Sequence, residues 1–234
     1  MRTDGRQDPP GGPRTGGRTA PVGEWSLVIP LKPLTLAKSR LASTAGEALR
    51  PRLALAFALD TVAAALACPA VRDVAVVTDD RTAGGALARL GARIVPDTPG
   101  DGLNAALVHG VLAVRGTRPG VPVAALNADL PALRPAELAR VLSHAAGFPR
   151  AFLPDAAGIG TTLLAAGRGV ELRPGFGGRS RSRHSASGAV EIRLDGVDSV
   201  RRDVDTGDDL AAALALGVGP RTTESLASAP VPEG

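Results

Sequence analysis

Between residues 24 and 220 the chain alternates short apolar runs with longer amphipathic ones. Residues 25–31 (WSLVIPL), 74–78, 93–95 and 121–127 read as strands, each a brief apolar run near Pro, Gly or Asp. Residues 51–68, 82–90, 101–114 and 135–144 fall between or after them and read as helices. Pro51 is expected in the first turn of its helix, where a missing N–H is tolerated. Gly110 is a weak point inside its own helix, and Pro122 belongs at the start of the fourth strand. Strands alternating with helices predict a parallel α/β sheet with right-handed crossovers. From residue 150 the pattern changes. Residues 150–154 (RAFLP), 161–165 (TTLLA) and 189–193 (AVEIR) follow, and 208–216 is a closing helix opened by acidic residues.

Residues 1–23 hold six Gly and four Pro without apolar periodicity and read as a disordered tail. Residues 221–234 read the same way, leaving a single domain over 24–220. Of the 234 residues 44% are hydrophobic and 21% charged, enough to bury a sizeable core. The lone cysteine, Cys68, excludes an internal disulfide and a cysteine-built zinc cluster. No charged-then-apolar leader opens the chain, and the apolar stretch 53–68 is broken by Asp60 and too short to span a bilayer. The expectation is a cytoplasmic protein.

Four Phe, one Trp and no Tyr leave almost nothing on which nucleic-acid bases would stack. The net charge is +4, and the first 23 residues contribute +2 of it through Arg2, Arg6, Arg14 and Arg18 against Asp4 and Asp8. What remains is no polyanion footprint. The basic residues are nearly all arginine; the only two lysines, Lys32 and Lys38, stand six positions apart. With Arg40 they put three cations just after the first strand, where an α/β nucleotide site holds phosphates. No G-x-x-x-x-G-K-[ST] loop occurs, and a plain basic surface loop is the alternative.

Carboxylates stand at the strand ends: Asp79 and Asp80 after the second, Asp129 after the fourth, Asp203 and Asp205 before the last helix. In extended chain, residues two apart share a face at roughly 6–7 Å, so Asp203 and Asp205 can clasp an ion together. Carboxylate oxygens are the ligands magnesium takes beside water and phosphate. Helix caps and solvated loop charges are the plainer alternative. Residues 168–184 hold five arginines against Glu171, among glycines whose N–H groups can converge on an anion. Residues 158–162 (GIGTT) add two hydroxyls, and residues 97–104 lead into a helix start that can meet a base or ribose. His184 is either a phosphate contact or structural; His109 and His144 lack partners for a nucleophilic triad. Two anion-binding sides flanking carboxylates suit magnesium-assisted phosphoryl or nucleotidyl transfer.

The ordered motifs IPLKP, AKSRL, GLNAA, ADLP, GTT, FG-x-x-S-x-x-x-H and DVDT resemble the 2-phospho-L-lactate/phosphoenolpyruvate guanylyltransferase family of coenzyme F-420 biosynthesis. The resemblance covers residues 25–218 and implies a GT-A-like, Rossmann-like nucleotidyltransferase fold, with a mostly parallel central sheet flanked by helices. It implies that Asp129, Asp203 and Asp205 hold two magnesium ions and that Thr161, Gly177 and Ser180 bind a phosphorylated three-carbon acid. It also places Lys32, Lys38 and Arg40 near GTP, with Gly102 and Asn104 nearer the nucleoside. One departure bears on acid selectivity: Gly178 and Arg179 stand where the family pattern carries proline and an acidic or small residue.

Phosphoenolpyruvate and 2-phospho-L-lactate share a phosphate and a carboxylate, so both stay open as acceptor, the arginine-rich composition favouring the former. Molybdenum-cofactor guanylyltransferases and sugar-phosphate nucleotidylyltransferases are the rivals in class, though their first loop is glycine-rich and residues 31–40 contain no glycine. A non-catalytic GTP- or nucleic-acid-binding module would use the arginines and leave three strand-end aspartates without a task.

Overall fold

The computed structural model describes residues 24–36 and 42–228. Residues 1–23 and 229–234, with Lys38 and Arg40, lie outside it. Among the described residues seven strands form one sheet: β1 (Trp25–Pro30), β2 (Val71–Val77), β3 (Arg93–Val95), β4 (Val123–Leu126), β5 (Arg150–Pro154), β6 (Thr161–Ala166) and β7 (Val190–Glu191). Their order is β3-β2-β1-β4-β6-β5-β7. Every neighbouring pair is parallel except the two that involve β6, which runs against β4 and β5. The sheet is mostly parallel, as the alternation predicts. Pro122 sits one residue ahead of β4, where it gives its carbonyl to the Ser26 N–H and withholds no ladder donor.

β1 lies between two parallel partners and is buried on both faces, which is why it is apolar at nearly every position. Leu27 and Ile29 point to one face, where α1 (Ala42–Leu66), α2 (Arg81–Arg89), α4 (Pro135–Ala145) and the short α6 (Asp198–Arg201) supply Val62, Leu87, Leu142 and Val200. Val28 points to the other, against α3 (Leu103–Thr117) through Leu107, Val111 and Val114. Gly110 is no weak point in this packing. A Cβ there would lie 2.5 Å from a Val28 methyl and 2.6 Å from a Val77 methyl, so its absence lets α3 approach β1 and β2.

Two expectations are corrected. Pro51 sits inside α1, which starts nine residues earlier than the apolar run announces. Residues 221–227 are no tail: α8 (Pro220–Ala227) packs on α1, and Asp60 explains why. Its buried carboxylate accepts the Arg221 N–H at 3.1 Å and the Thr222 N–H at 2.8 Å, so a charge from α1 caps the far helix. Leu53 and Phe57 of α1 pack with Leu210 and Ala213 of α7 (Gly207–Leu216) in the same corner. No helix among the described residues is long and apolar enough to cross a membrane.

Candidate active site

The carboxyl ends of β1, β2, β4 and β5 share one edge with the amino end of the reversed β6, and Lys32, Asp129 and Thr161 stand at that edge. Lys32 is exposed just beyond β1. Its loop is tied down by Asp80, whose Oδ2 accepts the Leu34 N–H at 3.0 Å while Oδ1 caps α2 through the Ala83 N–H. These two bonds, the Ala83 one foremost, hold the Asp80 carboxyl below its ordinary pKa. Asp79 accepts the Asp97 N–H at 2.9 Å. Both carboxylates thus shape loops.

Asp129 follows β4, and the Val204 N–H donates to its carbonyl at 3.1 Å, which lays residues 203–205 beside it. Asn127 Nδ2 reaches Asp203 Oδ2 at 3.5 Å, at the limit of a hydrogen bond. Asp205 is exposed at the approach to α7, where Thr206 and Asp209 form a reciprocal capping box. Among the described residues no three His, Cys, Asp or Glu side chains are gathered as a cage. Magnesium does not need one: it commonly takes one or two carboxylates and completes its shell with water and substrate phosphate. The oxygen-only donor set offered by Asp129, Asp203 and Asp205 fits that ion.

The start of β6 is built on a bulge. Leu153 pairs with Leu163 but Pro154 pairs with Thr161, so Thr162 is an extra residue and Thr161 is turned to the α3 face. Asp155 shapes the preceding turn by accepting the Ile159 and Gly160 N–H groups at 2.9 and 2.7 Å. Gly160 is required there, since a Cβ would stand 2.3 Å from Asp155 Oδ2. Ser180, buried, opens α5 (Ser180–Ala186), and the Arg181 N–H donates to Ile159, joining α5 to the same turn.

Behind Thr161 lies His184, 1% exposed. Its Nδ1 is 2.9 Å from the Thr161 hydroxyl, and its Nε2 accepts the Gly175 N–H at 2.9 Å. Burial first, then Arg183 and Arg150, pushes its pKa down to about 4, so the ring is neutral at pH 7. With Nε2 accepting, the proton sits on Nδ1 and is given to Thr161. The Thr161 hydroxyl hydrogen is thereby left for another acceptor. The structural alternative for His184 holds, one step behind the surface.

Gly177 is exposed with φ 95°, and Gly178 follows at φ 45°, so the chain turns where side chains with a Cβ are strained. Gly102 caps α3 with φ 86°. Asn104 is turned to the loop ahead of Gly177: its amide exchanges two hydrogen bonds with the Phe176 backbone. Sequence reasoning missed Asp155 and Arg183. An aspartate ahead of a Gly-rich turn was the signal for the first; nothing singles Arg183 out from the arginines around it.

Residues 25–230 match the family model described as "Guanylyl transferase CofC like". The chain is 73% identical over 199 residues to a phosphoenolpyruvate guanylyltransferase of Streptomyces coelicolor, covering 85% of this chain and 94% of that protein. It is 70% identical to another of that name from Streptomyces avermitilis, covering 89% of this chain and 97% of that one. Among solved structures, a nucleotidyl transferase from Methanothermobacter thermautotroptrophicus superposes with TM-score 0.62 at 26% identity, over 82% of this chain and 97% of that one.

Proposed function

The chain belongs to the CofC-like guanylyl transferases, and on that premise we propose that it transfers GMP from GTP to phosphoenolpyruvate. Diphosphate leaves, and enolpyruvoyl-2-diphospho-5'-guanosine forms, a step of coenzyme F-420 biosynthesis. The relatives' shared name favours phosphoenolpyruvate over 2-phospho-L-lactate. The observation that carries the reading is the Val204–Asp129 backbone bond, which lays the Asp203–Asp205 segment against Asp129 at the edge where β6 presents Thr161.

A phosphate oxygen of the acid attacks the α-phosphorus of GTP; that P–O bond forms as the bond to the β-phosphate oxygen breaks. The attacking phosphate monoester has a second pKa of about 6 and is already anionic at neutral pH, so no side chain need remove a proton. Thr161, with the Gly177 backbone and Ser180, binds the acid and aims its phosphate. Lys32 faces the triphosphate as a point charge, with Lys38 and Arg40 as further cations a few positions on in the sequence. Gly102 marks the nucleoside side. Asp129, Asp203 and Asp205 would hold two magnesium ions, which supply charge neutralisation for the triphosphate and the departing diphosphate. Positioning and charge do the catalysis.

Diphosphate release from GTP and magnesium, with each acid in parallel and mass spectrometry of the product, tests this. Release that depends on phosphoenolpyruvate is expected. Protein that binds GTP yet releases nothing with either acid would move the assignment to another acceptor.

A further inference from the structure

We propose that Asn104 is a positioning residue for the acid-binding loop, tying the start of α3 to the backbone that ends in Gly177. This rests on the reading of Thr161, Gly177 and Ser180 as the acid site, and it replaces the expectation of a nucleoside contact at Asn104.

The Gly175–Phe176 backbone belongs to no helix or strand, yet side chains satisfy its polar groups. His184 Nε2 accepts the Gly175 N–H at 2.9 Å, and Arg183 Nε donates to the Gly175 carbonyl at 3.0 Å. The Phe176 N–H donates to Asn104 Oδ1 at 2.8 Å, and the Phe176 carbonyl accepts from Asn104 Nδ2 at 3.2 Å. The Arg183 guanidinium also reaches the Gly177 carbonyl. Inside this grip the Phe176 ring is buried edge-on against His184, centroids 5.0 Å apart.

Of the three gripping side chains, Asn104 alone comes from the first half of the chain, 72 residues before Phe176. His184 and Arg183 sit on α5 and hold the loop to that helix and, through the His184–Thr161 bond, to β6 in the second half of the chain. Asn104 fixes it relative to α3, which is packed on β1 and β2. A primary amide is needed, because one group must accept from an N–H and donate to a C=O of the same residue. With both functions engaged on Phe176, the Asn104 side chain sets the direction in which the chain leaves Phe176 for Gly177. Acid binding, not nucleotide binding, is therefore what its removal should weaken.

Asn104→Ala and Asn104→Asp are compared with the wild-type chain by steady-state kinetics in GTP and in the acid, and by hydrogen exchange of the Phe176 amide. Asn104→Ala is expected to raise the acid KM at least tenfold, leave the GTP KM within twofold, and speed Phe176 exchange at least tenfold. Asn104→Asp, which keeps the acceptor but loses the donor, should fall between. A raised GTP KM with an unchanged acid KM and a protected Phe176 amide would make Asn104 a nucleotide contact and overturn the proposal; so would both KM values staying within twofold. If wild-type protein turns over neither acid, the acid assignment itself fails. Phe176 exchange then decides: acceleration in Asn104→Ala upholds the tie, and unchanged protection removes it.

Discussion

His184 donates its Nδ1 proton to the Thr161 hydroxyl across 2.9 Å, and it does so because its other nitrogen is occupied by the Gly175 N–H. One neutral imidazole thus orients the Thr161 hydroxyl and anchors the loop leading to Gly177. The neutral form has a pH signature. With a folded pKa of about 4 against an ordinary 6.5, the unfolded chain binds the proton first as pH falls. The contribution of His184 to stability is complete above pH 6.5 and is lost as pH drops towards 4. Urea midpoints should fall over that window, and more steeply for wild type than for His184→Phe, which cannot titrate. Equal slopes for the two would mean the histidine is not held neutral.

His184→Phe should also separate shape from hydrogen bonding, since the ring packs between Phe152 and Phe176. Leaving the Gly175 N–H and the Thr161 hydroxyl without this partner should cost about 1–3 kcal/mol of stability. The acid KM should rise roughly tenfold or more, which is about 1.4 kcal/mol or more of lost binding. An acid KM matching wild type would detach His184 from the site.

Much of the fold is legible because its strands are buried on both faces, so runs such as Val74–Val77 are apolar whatever their partners. The reversal of β6 is not, since a buried antiparallel strand carries the same apolar run as a parallel one. α8 was hidden for a related reason: its cap, Asp60, is 161 residues away, and no local pattern announces it. The motif resemblance implies roles for Thr161, Gly177 and the three aspartates. It carries no sign of the bulge at Thr162 that turns Thr161, nor that Asn104 pairs with a backbone 72 residues on. Composition marks residues 168–184 as anion-binding but does not say that Arg183 spends its guanidinium on carbonyls.

Asp205→Asn should abolish most activity and leave the fold alone. Asp205 is exposed, its own N–H lies 3.3 Å from Asp209, and the capping box of α7 belongs to Thr206 and Asp209. Removing one carboxylate from the proposed magnesium set should lower turnover at least about a hundredfold, on the order of 2.7 kcal/mol in the barrier. The melting midpoint should stay within about 2 °C. Full turnover in the variant at saturating magnesium would remove Asp205 from the metal set.

Two glycines of α3 should respond to alanine with opposite signs. Gly110→Ala places a methyl 2.5 Å from Val28 and 2.6 Å from Val77, against stiff β-branched side chains, whereas a Cβ at Gly116 meets nothing within 4 Å. Alanine is favoured over glycine in a helix by about 1 kcal/mol, and overpacking costs about 1–3 kcal/mol. Gly116→Ala should therefore stabilise by up to about 1 kcal/mol, while Gly110→Ala destabilises or at best breaks even. Chemical denaturation of both variants gives the comparison, and stabilisation by Gly110→Ala would show that α3 has room to retreat from the sheet.

Asp60→Ala should release α8. The carboxylate is buried and takes both the Arg221 and Thr222 N–H groups, and Gly219 passes so close that a Cβ would lie 2.4 Å from the Asp60 carboxyl carbon. Loss of such a cap costs about 1–2 kcal/mol. Because α8 is only eight residues long, it depends on tertiary anchors such as this one. Limited proteolysis should then cut near residues 220–228 in Asp60→Ala far faster than in wild type. Gly219→Ala, which crowds the same carboxylate from the other side, should give the same cleavage pattern. Protection of α8 in both variants would mean that its apolar contact with α1, not the carboxylate, holds it in place.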